Sequence, residues 1–77
     1  MILKVISAED VLFSGEVALV TLPGEKGSFT VLNNHASLVS TLVAGKIVYD
    51  ENGVRNEIEV AGGMVDVDNN VVSVCIY

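Results

Sequence analysis

The chain has one cysteine, one histidine and only four lysine and arginine residues among its 77. A single cysteine excludes an internal disulfide framework and a multi-cysteine zinc site, and its scarcity fits a reducing compartment. Four scattered cations cannot form the basic stripe with which an autonomous nucleic-acid binder displaces counterions from phosphates. They stand against ten acidic residues, a net charge of −6. That balance also argues against insertion into or adsorption on anionic lipid, where each basic residue contributes only about 1 kcal/mol. One histidine and no Gly-x-Ser-x-Gly elbow leave a triad hydrolase without support. No apolar run reaches the roughly 18 residues of a spanning helix. Glu9 and Asp10 interrupt the apolar start, so the N-terminus does not read as a signal peptide.

What is present is branched aliphatic. The chain is 51% hydrophobic and contains 15 Val, 5 Ile and 3 Thr, side chains that are stiff at χ1 and pack well on a pleated surface. Surface scaling predicts a folded area of roughly 4,500 Å², with about 60% of the unfolded surface buried. Disorder is excluded on this composition, and residues 1–77 read as one domain. Turn signals recur at the spacing of a sandwich or barrel: Ser14-Gly15, Pro23-Gly24, Asn33-Asn34, Ala44-Gly45, Asn52-Gly53, Gly62-Gly63 and Asn69-Asn70.

The clearest strand is Val54 to Val60, where Val54, Asn56, Ile58 and Val60 share one face and Arg55, Glu57 and Glu59 the other. Asn52-Gly53 returns it to Lys46 to Asp50 as a hairpin. Asn69-Asn70 joins Met64 to Asp68 with Val71 to Ile76 in a second. Earlier strands read as Ile2 to Ser7, Asp10 to Phe13 and Glu16 to Leu22. In the last of these both faces are apolar, Val17 and Leu19 against Ala18, Val20 and Leu22, which places it between two layers or beneath a partner. Only His35 to Val43 has room for a helical turn, and its β-branched residues disfavour one. The expected fold is all-β, a small two-sheet β-sandwich, with Val17, Leu19, Ile47, Ile58, Val65, Val72 and Val74 inside.

Candidate chemistry is thin. Asp66 with Asp68, and Glu57 with Glu59, share strand faces as a cation site would require, but alternating carboxylates are also the ordinary wet face of a strand. Cys75 reads as a small core or edge residue, and with His35 it lacks the further ligands of a metal site. Pro23-Gly24-Glu25-Lys26-Gly27 is not a phosphate loop, which needs a longer pattern opening a helix. A carrier lysine at a hairpin tip, as in biotinyl or lipoyl domains, remains open for Lys26, although Glu25 and Gly27 are not the usual flanks.

Four segments read together are familiar: Val5-Ile6-Ser7-Ala8-Glu9; Leu12-Phe13-Ser14-Gly15-Glu16-Val17; Gly27 to Val39 with its Asn33-Asn34-His35-Ala36; and Ala61-Gly62-Gly63-Met64-Val65-Asp66-Val67 with Asn70 to Val74 behind it. The chain resembles, over nearly its whole length, the N-terminal β-sandwich of the epsilon subunit of rotary F-type ATP synthases. It departs in the central loop, where Asn33-Asn34 replace Pro-Gly, Thr30 a Gly, and Ser37 a Pro. Ser28 stands where an acidic residue is common. Asn34 tolerates the left-handed conformation that the Gly supplied.

The resemblance implies a non-catalytic central-stalk subunit that couples gamma to the membrane c-ring during proton- or sodium-driven ATP synthesis. It implies a peripheral place on the cytoplasmic side of the bacterial inner membrane. Many family members continue into a two-helix C-terminal hairpin; this chain stops at Tyr77, so neither ATP binding nor inhibition by inserted helices is expected of it, and no cofactor. The second apolar row, Ala18, Val20 and Leu22, is the expected gamma contact. The loop taken to carry Ser28, Asn33, Asn34 and His35 is the expected c-ring contact.

Overall fold

Alternation with a period of two decides most of the backbone. In the computed structural model, which describes all 77 residues, nine strands and no helix follow one another. They are β1 (Ile2–Ile6), β2 (Val11–Glu16), β3 (Leu19–Gly24), β4 (Gly27–Leu32), β5 (Leu38–Leu42), β6 (Gly45–Glu51), β7 (Val54–Val60), β8 (Gly63–Asp68) and β9 (Val71–Ile76). In β1, β8 and β9 the inward set is Leu3, Val5, Val65, Val67, Val72 and Val74, each 1% exposed or less, and the residues between them face outward or are half-buried. The segment His35 to Val43 contains β5 and no helical turn.

The two layers are one hydrogen-bonded sheet folded over. Strand order runs β2-β1-β9-β8-β5-β3-β6-β7, with β4 on the free side of β3. The β1–β9 pair is parallel and the rest are antiparallel. A five-stranded layer, β2-β1-β9-β8-β5, meets a four-stranded one, β4-β3-β6-β7, at a single register pair, Gly24 with Leu42. Fifteen buried side chains from both layers form the core, and the surface measures 4552 Å², in line with the scaling value. Phe13 of β2 closes one side by stacking on Tyr49 of β6, ring centroids 4.4 Å apart. The Phe-Ser-Gly motif has its reason here: a Cβ on Gly15 would lie 3.1 Å from the Phe13 ring.

The seven expected core residues divide. Val17, Ile47, Val65, Val72 and Val74 are buried. Ile58 is half-buried, because β7 is an edge strand. Leu19 is also half-buried and faces outward, since Glu16 to Leu22 is two segments rather than one strand. The chain turns at Val17-Ala18, where the Val17 amide donates to Met1 O (2.8 Å) and the Ala18 amide to Asp50 O (2.9 Å). That turn resets the alternation, so Val20 and Leu22, not Leu19, enter the core.

The asparagine turns gather at one end of the sandwich. Asn52-Gly53 (φ 52° and 78°) and Asn69-Asn70 (φ 48° and 63°) take positive φ at both turn residues, as tight hairpins favour. Asn34 takes φ 62°. The opposite end holds the β1–β2 turn, where Ser7 Oγ accepts from the Asp10 amide at 3.2 Å, and the Gly62-Gly63 entry to β8. Gly63 has φ 157°, and a Cβ there would collide with the Cys75 carbonyl.

Candidate functional site

The outer face of the five-stranded layer is the one that alternation leaves apolar. Register sets Ile6 of β1, Cys75 of β9 and Met64 of β8 side by side in one row, with Val11 of β2 beyond Ile6. The next row runs Lys4, Ser73, Asp66 and Val39 across β1, β9, β8 and β5. Val39 is 67%, Met64 50% and Ile6 39% exposed. Val39, Met64, Asp66, Ser73 and Cys75 surround a shallow hollow of about 300 Å³. Side chains this apolar lie outward because Val65, Val72 and Val74 hold the inward parity.

This is not the gamma surface expected from the sequence. Val20 and Leu22 are 0% exposed; they are the centre of the core and no partner reaches them. Ala18 is exposed, but in the turn between β2 and β3. The three residues form no common surface. The error lies in reading Glu16 to Leu22 as one strand. The residues that do form an apolar face carried a signal in the same sequence: Met64 shares the parity of Asp66 and Asp68, which marks it as outward.

The expected c-ring loop is likewise divided. Ser28 lies at the start of β4, paired with Pro23 beside the Glu25-Lys26 hairpin tip. Asn33, Asn34 and His35 follow the other end of that strand, and the strand from Ser28 to Leu32 spans roughly 13 Å before the turn begins. Resemblance to a glycine-rich loop hid the strand between them. At the asparagine end, Asn33 Oδ1 accepts from the Met1 ammonium at 2.9 Å. The Asn34 amide donates to Asn70 Oδ1 at 2.8 Å, and His35 Nδ1 lies 2.7 Å from Ala36 O. The Asn34–Asn70 bond ties two turns together and Asn33 anchors the first residue of the chain, while the His35 ring bonds only to its own neighbour. At the hairpin end Glu25, Lys26 and Ser28 are exposed, and their side chains make no hydrogen bond.

The carboxylates are dispersed. Asp68 accepts from Ser37 Oγ at 2.8 Å. Glu57 pairs with Lys46 at 3.3 Å, both about half exposed, an ion pair of about 0–1 kcal/mol. No three His, Cys, Asp or Glu side chains converge as metal ligands would. Cys75 is exposed on β9, an interior strand of the sheet, rather than in the core or at an edge. Lys26 does occupy a hairpin tip. Burial, and secondarily the Glu51 carboxylate, push the Tyr49 phenol above its ordinary range. No helix is long and apolar enough to cross a membrane.

Fold and surface together define a two-layered β-sandwich with one apolar outer face and one polar hairpin end. Residues 1–76 match the family described as the ATP synthase delta/epsilon chain β-sandwich domain, and the chain belongs to that family. It is 41% identical over 71 residues to an ATP synthase epsilon chain of Leptospira borgpetersenii, covering 92% of this chain and 56% of that protein. To an epsilon chain of Bordetella petrii it is 44% identical over 72 residues, covering 91% and 50%. The chain thus spans about half the length of these curated relatives. Among solved structures it superposes on a chain of the Euglena gracilis mitochondrial ATP synthase, resolved with OSCP, F1 and c-ring. That match has a TM-score of 0.91 at 25% identity and covers 99% of this chain and 49% of that one. A chain of the Tetrahymena thermophila central stalk and c-ring shares the fold, with a TM-score of 0.82 at 13% identity and coverage of 97% and 61%.

Proposed function

We propose that this chain is the sandwich domain of an epsilon-type rotor subunit of ATP synthase, non-catalytic itself, which couples gamma to the c-ring. The observation that carries the reading is the exposed apolar face around Ile6, Val39 and Met64, of the kind that marks a partner site on a small domain. Gamma docks on that face. The polar β3–β4 hairpin end, with Ser28, rests on the polar loops of the c-ring. Asn33, Asn34 and His35 organise the opposite end. Support comes from the family and from relatives named as ATP synthase epsilon chains. The complex holds the subunit peripherally, on the cytoplasmic side of the bacterial inner membrane. Co-expression with gamma tests the reading: the chain co-purifies with gamma, whereas Met64→Glu, still folded by circular dichroism, does not. A folded wild-type chain that leaves gamma behind contradicts it. A mass increment on Lys26 in protein from its own host would favour the carrier reading instead.

A further inference from the structure

We propose that the outer face of the five-stranded layer is also self-complementary, and that a second copy of this chain occupies it when no other partner does, as a symmetric dimer with its two-fold axis along β9. The inference does not depend on gamma docking there, although it uses the same face.

The order of side chains across the sheet pairs unlike charges when the face meets its own copy. Lys4 of β1, Ser73 of β9 and Asp66 of β8 occupy one row; Ile6, Cys75 and Met64 occupy the next. Neighbouring strands lie about 4.8 Å apart, so Lys4 and Asp66 sit about 10 Å from each other on either side of β9. They form no ion pair; the single salt bridge in the chain joins Lys46 and Glu57. Turning a second copy by 180° about β9 and seating it face to face carries its Asp66 over Lys4 and its Lys4 over Asp66. Two charges unpaired in one chain become two ion pairs in the dimer, equivalent by symmetry. The same rotation lays Met64 of each copy over Ile6 of the other, burying side chains that are 50% and 39% exposed in the single chain. The geometry is aligned sheet packing, with layers about 10 Å apart.

Size sets the strength. Five strands of about 17 Å, about 4.8 Å apart, give a face of about 400 Å², so about 800 Å² is buried in total over both copies, below the range of stable specific interfaces and within that of weak, transient ones. The dimer is therefore weak and concentration-dependent, and a stronger partner displaces it.

Cys75 lies on the axis and faces its own copy, as cysteines on facing strands of a sandwich do where they form an inter-sheet bridge. This supplies the test. Sedimentation velocity of the reduced chain over a concentration series follows the equilibrium. Diamide then traps the dimer: two Cys75 thiols lose two protons and two electrons, one S–S bond forms, and the N=N bond of diamide is reduced to the hydrazine. The wild type associates reversibly and gives a disulfide dimer. Asp66→Lys, which opposes Lys4 with a second cation, weakens association about tenfold, the factor equivalent to 1.4 kcal/mol. The swap Lys4→Glu with Asp66→Lys restores it. Met64→Glu, a second surface variant checked by circular dichroism, also weakens it. A chain monomeric at every concentration, or an Asp66→Lys dimer as tight and as readily trapped as wild type, or a charge swap that recovers nothing, overturns the proposal. A monomer that still binds gamma through Met64 overturns the dimer alone and leaves the docking reading standing.

Discussion

Gly24 and Leu42 are the one register pair through which β3 meets β5, and so the hinge where one sheet becomes two layers. Flanking bonds hold it: the Val43 amide donates to Pro23 O and the Glu25 amide to Thr41 O, both at 2.9 Å. A Cβ on Gly24 would lie 2.7 Å from Gly27 O and 2.8 Å from the Phe29 ring. Gly24→Ala therefore forces the hairpin away from the joint and is expected to cost about 1–3 kcal/mol, the range for overpacking. Urea unfolding measures it, and an unchanged midpoint would show that the joint yields freely.

The asparagine end makes two separable contributions. Asn70 holds a positive φ and accepts the Asn34 amide on its side chain. Asn70→Gly keeps the turn and loses the bond, at about 0.5–1.5 kcal/mol. Asn70→Ala loses the bond and adds the left-handed penalty of about 1–2 kcal/mol. Denaturant midpoints are expected in the order wild type, Asn70→Gly, Asn70→Ala; equal midpoints for the two variants would remove the turn strain from the account.

Tyr49 gives the fold a dependence on alkaline pH. Its phenol is raised from 10.0 by burial and then by Glu51, so the folded chain retains a proton that the unfolded chain releases. The stability held by the neutral phenol is complete below pH 10 and falls as pH rises from there through the folded value. Urea midpoints taken across this range are expected to decline less steeply in Tyr49→Phe than in wild type. Parallel slopes would contradict the assignment.

Much of this fold is legible in the sequence where one face is dry and the other wet. The pattern of Val54 to Val60, the outward Asp66 and Asp68, and the Asn-Gly and Asn-Asn turns place β7, β8 and β9 within a residue of their observed ends. Legibility fails where both faces are apolar. Nothing in Val17-Ala18-Leu19-Val20 marks the turn that separates β2 from β3, because the bonds that make it, to Met1 O and Asp50 O, come from distant segments. The same failure sent the candidate gamma contact into the core. The candidate c-ring residues were separated by a strand that Gly27-Ser28 and Asn33-Asn34, both turn-like, made look like one loop.

The two ends of β4 make opposite predictions about the c-ring. With Ser28 beside the free hairpin tip and His35 at the interlocked end, a cysteine at position 28 is expected to cross-link to c-ring loops in assembled enzyme and one at position 35 is not. Cross-linking from 35 and not from 28 would reverse the orientation of the domain on the ring.

The central claim, that gamma docks on the outer face of the five-stranded layer, is tested most directly by photo-cross-linking. A benzophenone side chain is placed in turn at Val39 and Met64 on that face, and at Val48 and Glu57 on the outside of the other layer. The account predicts adducts with gamma from positions 39 and 64 and none from 48 or 57. Adducts from 48 and 57 alone would put gamma on the four-stranded layer and contradict it.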